Sequence, residues 1–123
     1  MAFYTFNPQY PEPFSLIHPL KLKDIQNLLD CVMPAFIDCV ILFGSSLDLT
    51  CSPYSDVDLY VISDEDKAAY EFFHRRCKTL KIKADILAAD KYAFMEDALD
   101  INAIERQILK QGVVLYEKKS HTA

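Results

Sequence analysis

Apolar positions along this chain change their period several times, and each change marks an element. After Pro19, which a helix start tolerates, Leu22, Ile25, Leu28, Leu29 and Val32 recur at helical spacing. They predict a helix that Pro34 ends. Residues 37–43 are almost continuously apolar, which predicts a central strand buried on both faces. One or two helical turns are expected over 45–50, and Ser52-Pro53-Tyr54-Ser55 is a loop signal. A strand over 57–62 follows, then an acidic helix start at Ser63-Asp64-Glu65-Asp66. Ala69, Phe72, Phe73 and Cys77 stripe that helix, and Arg75, Arg76 and Lys78 suit its C-terminal end. Residues 80–87 alternate apolar and polar and predict a half-exposed strand, with Asp85 on the face of Lys81 and Lys83. Asp90 caps a helix carrying Tyr92, Met95, Ala98 and Leu99 on one side. A second helix starts near Asp100, turns Ile101, Ile104 and Ile108 inward, and stops at Gly112 as at a C′ glycine. Val113 to Tyr116 form a last short strand. The resulting class is α/β (α+β): a mixed sheet of three to five strands with helices packed on one face.

The ends read differently. Residues 1–19 hold Pro8, Pro11, Pro13 and Pro19 among aromatics, a density that forbids a regular helix or central strand. They are expected to form an extended arm, with Phe3, Tyr4, Phe6 and Phe14 available to pin it to the domain or to a partner. Residues 20–117 form the domain and 118–123 a polar tail. The length fits one domain with a real core.

Composition narrows the function. The chain is 51% hydrophobic and 25% charged, ordinary for a globular protein, and no apolar run is long enough to span a bilayer. The N-terminus lacks the basic and apolar regions of a secretory signal. Cys31, Cys39, Cys51 and Cys77 show no metal-finger spacing, so reduced core thiols and a cytoplasmic protein are expected. A net charge of −5 argues against a duplex-binding polymerase but leaves small nucleotides open, because bound metal screens carboxylates.

The candidate chemistry lies where the two central strands meet. Gly44-Ser45 ends the first strand; after ten intervening residues, Asp56 and Asp58 open the second. A period of two puts both carboxylates on one face, suited to hard divalent cations. A glycine-serine turn lets backbone N–H groups and a hydroxyl approach a phosphate, since glycine has no Cβ. An aspartate pair at a strand start is by itself commonly a solvated strand end. Its conjunction with Gly44-Ser45, and with Asp85 in a later strand, points to metal-assisted phosphoryl or nucleotidyl transfer.

That conjunction resembles the nucleotidyltransferase superfamily that includes DNA polymerase beta and kanamycin nucleotidyltransferase. The small size and the ending Ile104 to Tyr116 look like the minimal nucleotidyltransferases of prokaryotes. The resemblance implies a nucleotidyltransferase fold and two Mg²⁺ ions held by Asp56, Asp58 and Asp85, with Asp85 helping to deprotonate the attacking hydroxyl. It implies a nucleoside triphosphate gripped by Gly44, Ser45 and Ser55. Many relatives follow the serine with an arginine, whereas Ser46 and Leu47 stand here. Arg75, Arg76, Lys81 and Lys83 are the candidate replacement cations. By analogy the reaction moves AMP from ATP to a hydroxyl of a protein partner, as in antitoxins that adenylylate a HEPN-type toxin. Two readings stand beside it: a small-molecule nucleotidyltransferase completed by self-association, and a non-catalytic nucleotide-binding or interaction module.

Overall fold

The computed structural model describes residues 19–44 and 55–118. Several expectations lie outside those residues: the N-terminal arm, the helical turns over 45–50, the loop residues 52–54, Ser45 itself and the tail beyond Lys118.

The described elements run α1 (Pro19–Leu29), β1 (Cys39–Phe43), β2 (Val57–Ile62), α2 (Asp66–Leu80), β3 (Ala84–Ala89), α3 (Lys91–Asp97), α4 (Ile104–Gln111) and β4 (Val113–Glu117). The four strands form one mixed sheet in the order β3-β2-β1-β4. β1 is antiparallel to both neighbours, and β2 and β3 are parallel. Parallel neighbours need a crossover, which α2 supplies. The mixed α/β class expected from the pattern is the one observed.

The helices divide between the two faces, where a single helical layer was expected. Val40, Leu42, Val57, Leu59 and Val61 pack on Ile25 and Leu28 of α1 and on Ala69, Phe73 and Cys77 of α2. The alternate residues Cys39, Ile41, Tyr60 and Ile62 pack on Phe94 of α3 and Ile108 of α4. Both faces of β1 and β2 are therefore buried, which is why their sequences lack polar alternation beyond Asp58.

Four features differ from the pattern: two element boundaries, the conformation of Gly112 and the burial of two isoleucines. α1 stops at Leu29 rather than at Pro34, and Val32 is exposed. The Arg76 side chain donates to the carbonyls of Leu28 (3.0 Å) and Asn27 (2.8 Å), taking the last-turn acceptors that another helical turn would have used. The run at residue 80 is not strand until Ala84. Lys81 adopts a left-handed conformation (φ 59°), and its N–H and that of Ile82 bond back to Lys78 and Cys77, closing α2 as a Schellman motif. Gly112 does end α4, but with φ −67° and ψ 152° it is extended, not left-handed. A Cβ there would lie 2.7 Å from both the Ile108 carbonyl oxygen and Ile41 Cγ2, so packing excludes a side chain. Ile101 and Ile104, expected inward, are exposed to different degrees, and only Ile108 of that set is buried. Asp90 caps α3 as expected, accepting from the Ala93 N–H at 2.8 Å.

Candidate active site

Two of the sequence-chosen acids meet in register. Across the parallel β2–β3 pair, Asp58 stands opposite Asp85, on strands about 4.8 Å apart. Val57 and Leu59 point into the α1–α2 core, so Asp58 points to the other face with Tyr60. Asp85 alternates with Ala84 and Ile86, which also pack toward α2, and so shares Asp58's side. Asp56 precedes β2, where the Val57 N–H bonds to the Lys83 carbonyl at 2.9 Å and ties together the starts of both strands.

Gly44 completes the corner. It follows Phe43, the register partner of Asp58, with φ +79°, a conformation that glycine adopts without strain. A Cβ at Gly44 would land on Asp58 Oδ2 and lie 3.1 Å from its Cγ. The backbone of the turn is thus close against the central carboxylate, and no other residue type fits there. Ser55 directly precedes Asp56 and is half-buried. Ser45 lies outside the described residues.

The electrostatics follow from this crowding. Burial raises the Asp58 pKa above its ordinary value, and the negative charges of Asp85 and then Asp56 raise it further. Asp56 leans toward the nearest cation, with Lys83 Nζ 3.9 Å from Asp56 Oδ1. Both groups are well exposed, so the pair is worth little to stability. Among the described residues no three His, Cys, Asp or Glu side chains close around a common point. The donor set nevertheless suits a hard divalent cation: three carboxylates at one sheet corner, two of them side by side and one held by a loose, exposed ion pair.

Of the four candidate cations, only Lys83 is beside the acids. Arg76 is occupied at the end of α1, Arg75 sits 3.9 Å from Glu71, and Lys81 closes α2. The arginines also belong to the helix on the opposite face of the sheet. His74 stacks on Tyr70 at 5.6 Å while Cys77 is buried, so the two do not form a metal pair. Burial pushes the Cys77 thiol up to about 11 and that of Cys39 well above its ordinary range, leaving neither as a nucleophile.

One polar pair escaped the sequence reading. Tyr60, two residues along β2 from Asp58, donates its hydroxyl to Glu105 Oε2 at 3.1 Å and sets its ring edge-on to Phe94 at 5.0 Å. Burial, then the charge and hydrogen bond of Glu105, raise the Tyr60 pKa and keep the phenol protonated. Strand alternation put Tyr60 on the carboxylate face. Nothing local to it signalled a partner 45 residues away.

Residues 23–121 match the family model described as Polymerase beta, Nucleotidyltransferase. No curated protein and no solved structure matches the chain significantly. No helix among the described residues is long and apolar enough to cross a membrane.

Proposed function

The chain belongs to the polymerase beta nucleotidyltransferase family, and from that premise we propose that it transfers AMP from ATP to a hydroxyl of a protein partner. The observation that carries the reading is the register of Asp58 with Asp85, with the Gly44 backbone closed against Asp58. In this reading Asp56, Asp58 and Asp85 hold two Mg²⁺ ions, which neutralise the clustered carboxylates and the triphosphate. Gly44, Ser45 and Ser55 grip the phosphates, and Lys83 adds a positive charge at the mouth. The acceptor oxygen forms a bond to the α-phosphorus as the bond from that phosphorus to the bridging oxygen breaks. Pyrophosphate leaves with the electron pair, and the hydroxyl proton passes to the Asp85 carboxylate.

The protein acceptor and the antitoxin role with a HEPN-type toxin rest on the likeness to minimal nucleotidyltransferases. Ser46-Leu47, standing where many relatives carry an arginine, favours a second reading, a domain that binds nucleotide without turning it over.

Thermal unfolding with ATP and Mg²⁺ tests the site. ATP at a hundredfold excess over its Kd is expected to add about 2.7 kcal/mol of stability, only with a divalent cation present. The combined Asp56→Ala and Asp58→Ala variant is expected to lose that gain. Transfer of label from α-labelled ATP to a co-purified toxin supports catalysis. Nucleotide stabilisation without transfer supports the second reading, and its absence removes both.

A further inference from the structure

A second surface, not among the site's own residues, adjoins the carboxylate face. Tyr92, Leu99 and Ile101 are 75%, 75% and 76% exposed, and Ile104 is 43% exposed. Tyr92 stands in the first turn of α3, and Leu99 lies in the turn just past its last residue, Asp97. Leu99 and Ile101 come from the connection between α3 and α4, and Ile104 opens α4, so the four form one ridge along that corner. The connection is held in place: the N–H groups of Leu99, Asp100 and Ala103 bond to the carbonyls of Glu96, Asp97 and Asp100. Arg106 ties α4 back to the Ala98 carbonyl at 3.1 Å. A fixed turn that displays this much apolar surface to water is the signature of an interface.

The charge around the ridge says what covers it. Glu96, Asp97 and Asp100 are exposed there, and none is in an ion pair among the described residues. Of the cations nearby, Lys91 lies over the Tyr92 ring at 5.6 Å, and the half-buried Arg106 turns its guanidinium to the Ala98 carbonyl. An acidic rim repels nucleic acid and anionic lipid. A second copy would bring the same acids face to face. Residues 1–18 and 45–54 of this chain hold no Lys or Arg with which to answer the rim.

We propose that the ridge formed by Tyr92, Leu99, Ile101 and Ile104 docks an amphipathic helix of a protein partner, apolar on one face and flanked by lysines or arginines. Its place relative to the acids gives it a role that rests on the transferase reading. Glu105, the residue after Ile104, receives the hydroxyl of Tyr60, which shares the face of Asp58. A partner seated on the ridge brings its acceptor hydroxyl to the carboxylate side of the sheet.

The test uses the full chain and three synthetic peptides: an amphipathic leucine–lysine helix, its leucine–glutamate counterpart, and a scrambled leucine–lysine sequence. Amide chemical shifts and titrations read binding. The amphipathic lysine peptide is expected to perturb residues 92–105 and to weaken with added salt. The combined Leu99→Ser and Ile101→Ser variant, whose changes lie on the surface, is expected to lower its affinity by about tenfold or more. Equal binding of the glutamate or scrambled peptide, perturbation elsewhere, or unchanged affinity in that variant overturns the proposal. So does concentration-dependent self-association through these residues, or a shift of the amides of residues 1–18 in the peptide-free variant. The surface and the active site fail separately. Asp56→Ala with Asp58→Ala keeps peptide binding, and Leu99→Ser with Ile101→Ser keeps stabilisation by ATP and Mg²⁺.

Discussion

Asp58 carries the tension of the site, because it sits between Gly44, just past the end of β1, and Asp85 on β3. Its raised pKa means that the native state holds a proton there more tightly than the unfolded chain does. Stability therefore falls as pH rises from the ordinary value of 3.8 through the raised native value, and the loss persists at neutral pH. Without divalent cations, Asp58→Asn is expected to be more stable than the parent at pH 7. The gain should vanish below about pH 3.8, where both states are protonated. Urea denaturation across pH, with chelator present, measures it. Gly44→Ala is expected to act in the opposite sense. The positive φ alone costs on the order of 1–3 kcal/mol for a residue with a Cβ, and that Cβ also displaces the Asp58 carboxylate. The variant should lose both midpoint stability and the Mg²⁺-dependent response to ATP. The aspartates and the glycine were legible in the sequence because their residue types are the chemistry. Which cation stands beside them was not, since Arg75, Arg76, Lys81 and Lys83 are equally basic on paper and only the fold sorts them.

The elements end where the tertiary structure stops them. α1 contains residues able to continue past Leu29, yet Arg76 of α2 takes its terminal carbonyls. Arg76→Ala is expected to fray the last turn of α1 and to cost about 1–3 kcal/mol, the usual range for hydrogen bonds from a charged donor. Faster amide exchange near Asp30 and Cys31 would show it. Arg76→Lys should rescue poorly, because an ammonium lacks the fork that reaches two carbonyls. At the end of α4, Gly112→Ala keeps an allowed backbone but forces a methyl group against Ile41 and Ile108. It is expected to cost about 1–3 kcal/mol by overpacking, read from the denaturation midpoint. Sequence pattern located both boundaries within a few residues and named the wrong cause for each, Pro34 for α1 and a left-handed glycine for α4. Periodicity reports which residues prefer water; it does not report which distant side chain will occupy a helix end.

At the scale of the whole molecule, the sheet is covered on both faces over β1 and β2, and the acids emerge where that cover ends. Asp58 is half-buried and Asp85 exposed, at the start of β2 and β3, while Tyr60 one pleat further in is already under α3 and α4. The second helical layer was hard to read in advance, because α3 and α4 are short and each buries one large residue, Phe94 and Ile108. Met95 and Leu109 pack against that layer only in part, and Tyr92 and Ile104 face outward, so helical periodicity mistakes exposed residues for a core stripe. By itself the sequence determined the mixed α/β class, the glycine turn and the strands to within a few residues, because burial on two faces demands continuous apolar runs, and it singled out the acids by residue type, as the proposed metal chemistry demands. Only the tertiary structure decided that Asp85 stands in register with Asp58, that Lys83 alone among the candidate cations joins them, and that Tyr60 meets Glu105. Those facts depend on strand order and helix placement, set by long-range packing that no local pattern encodes.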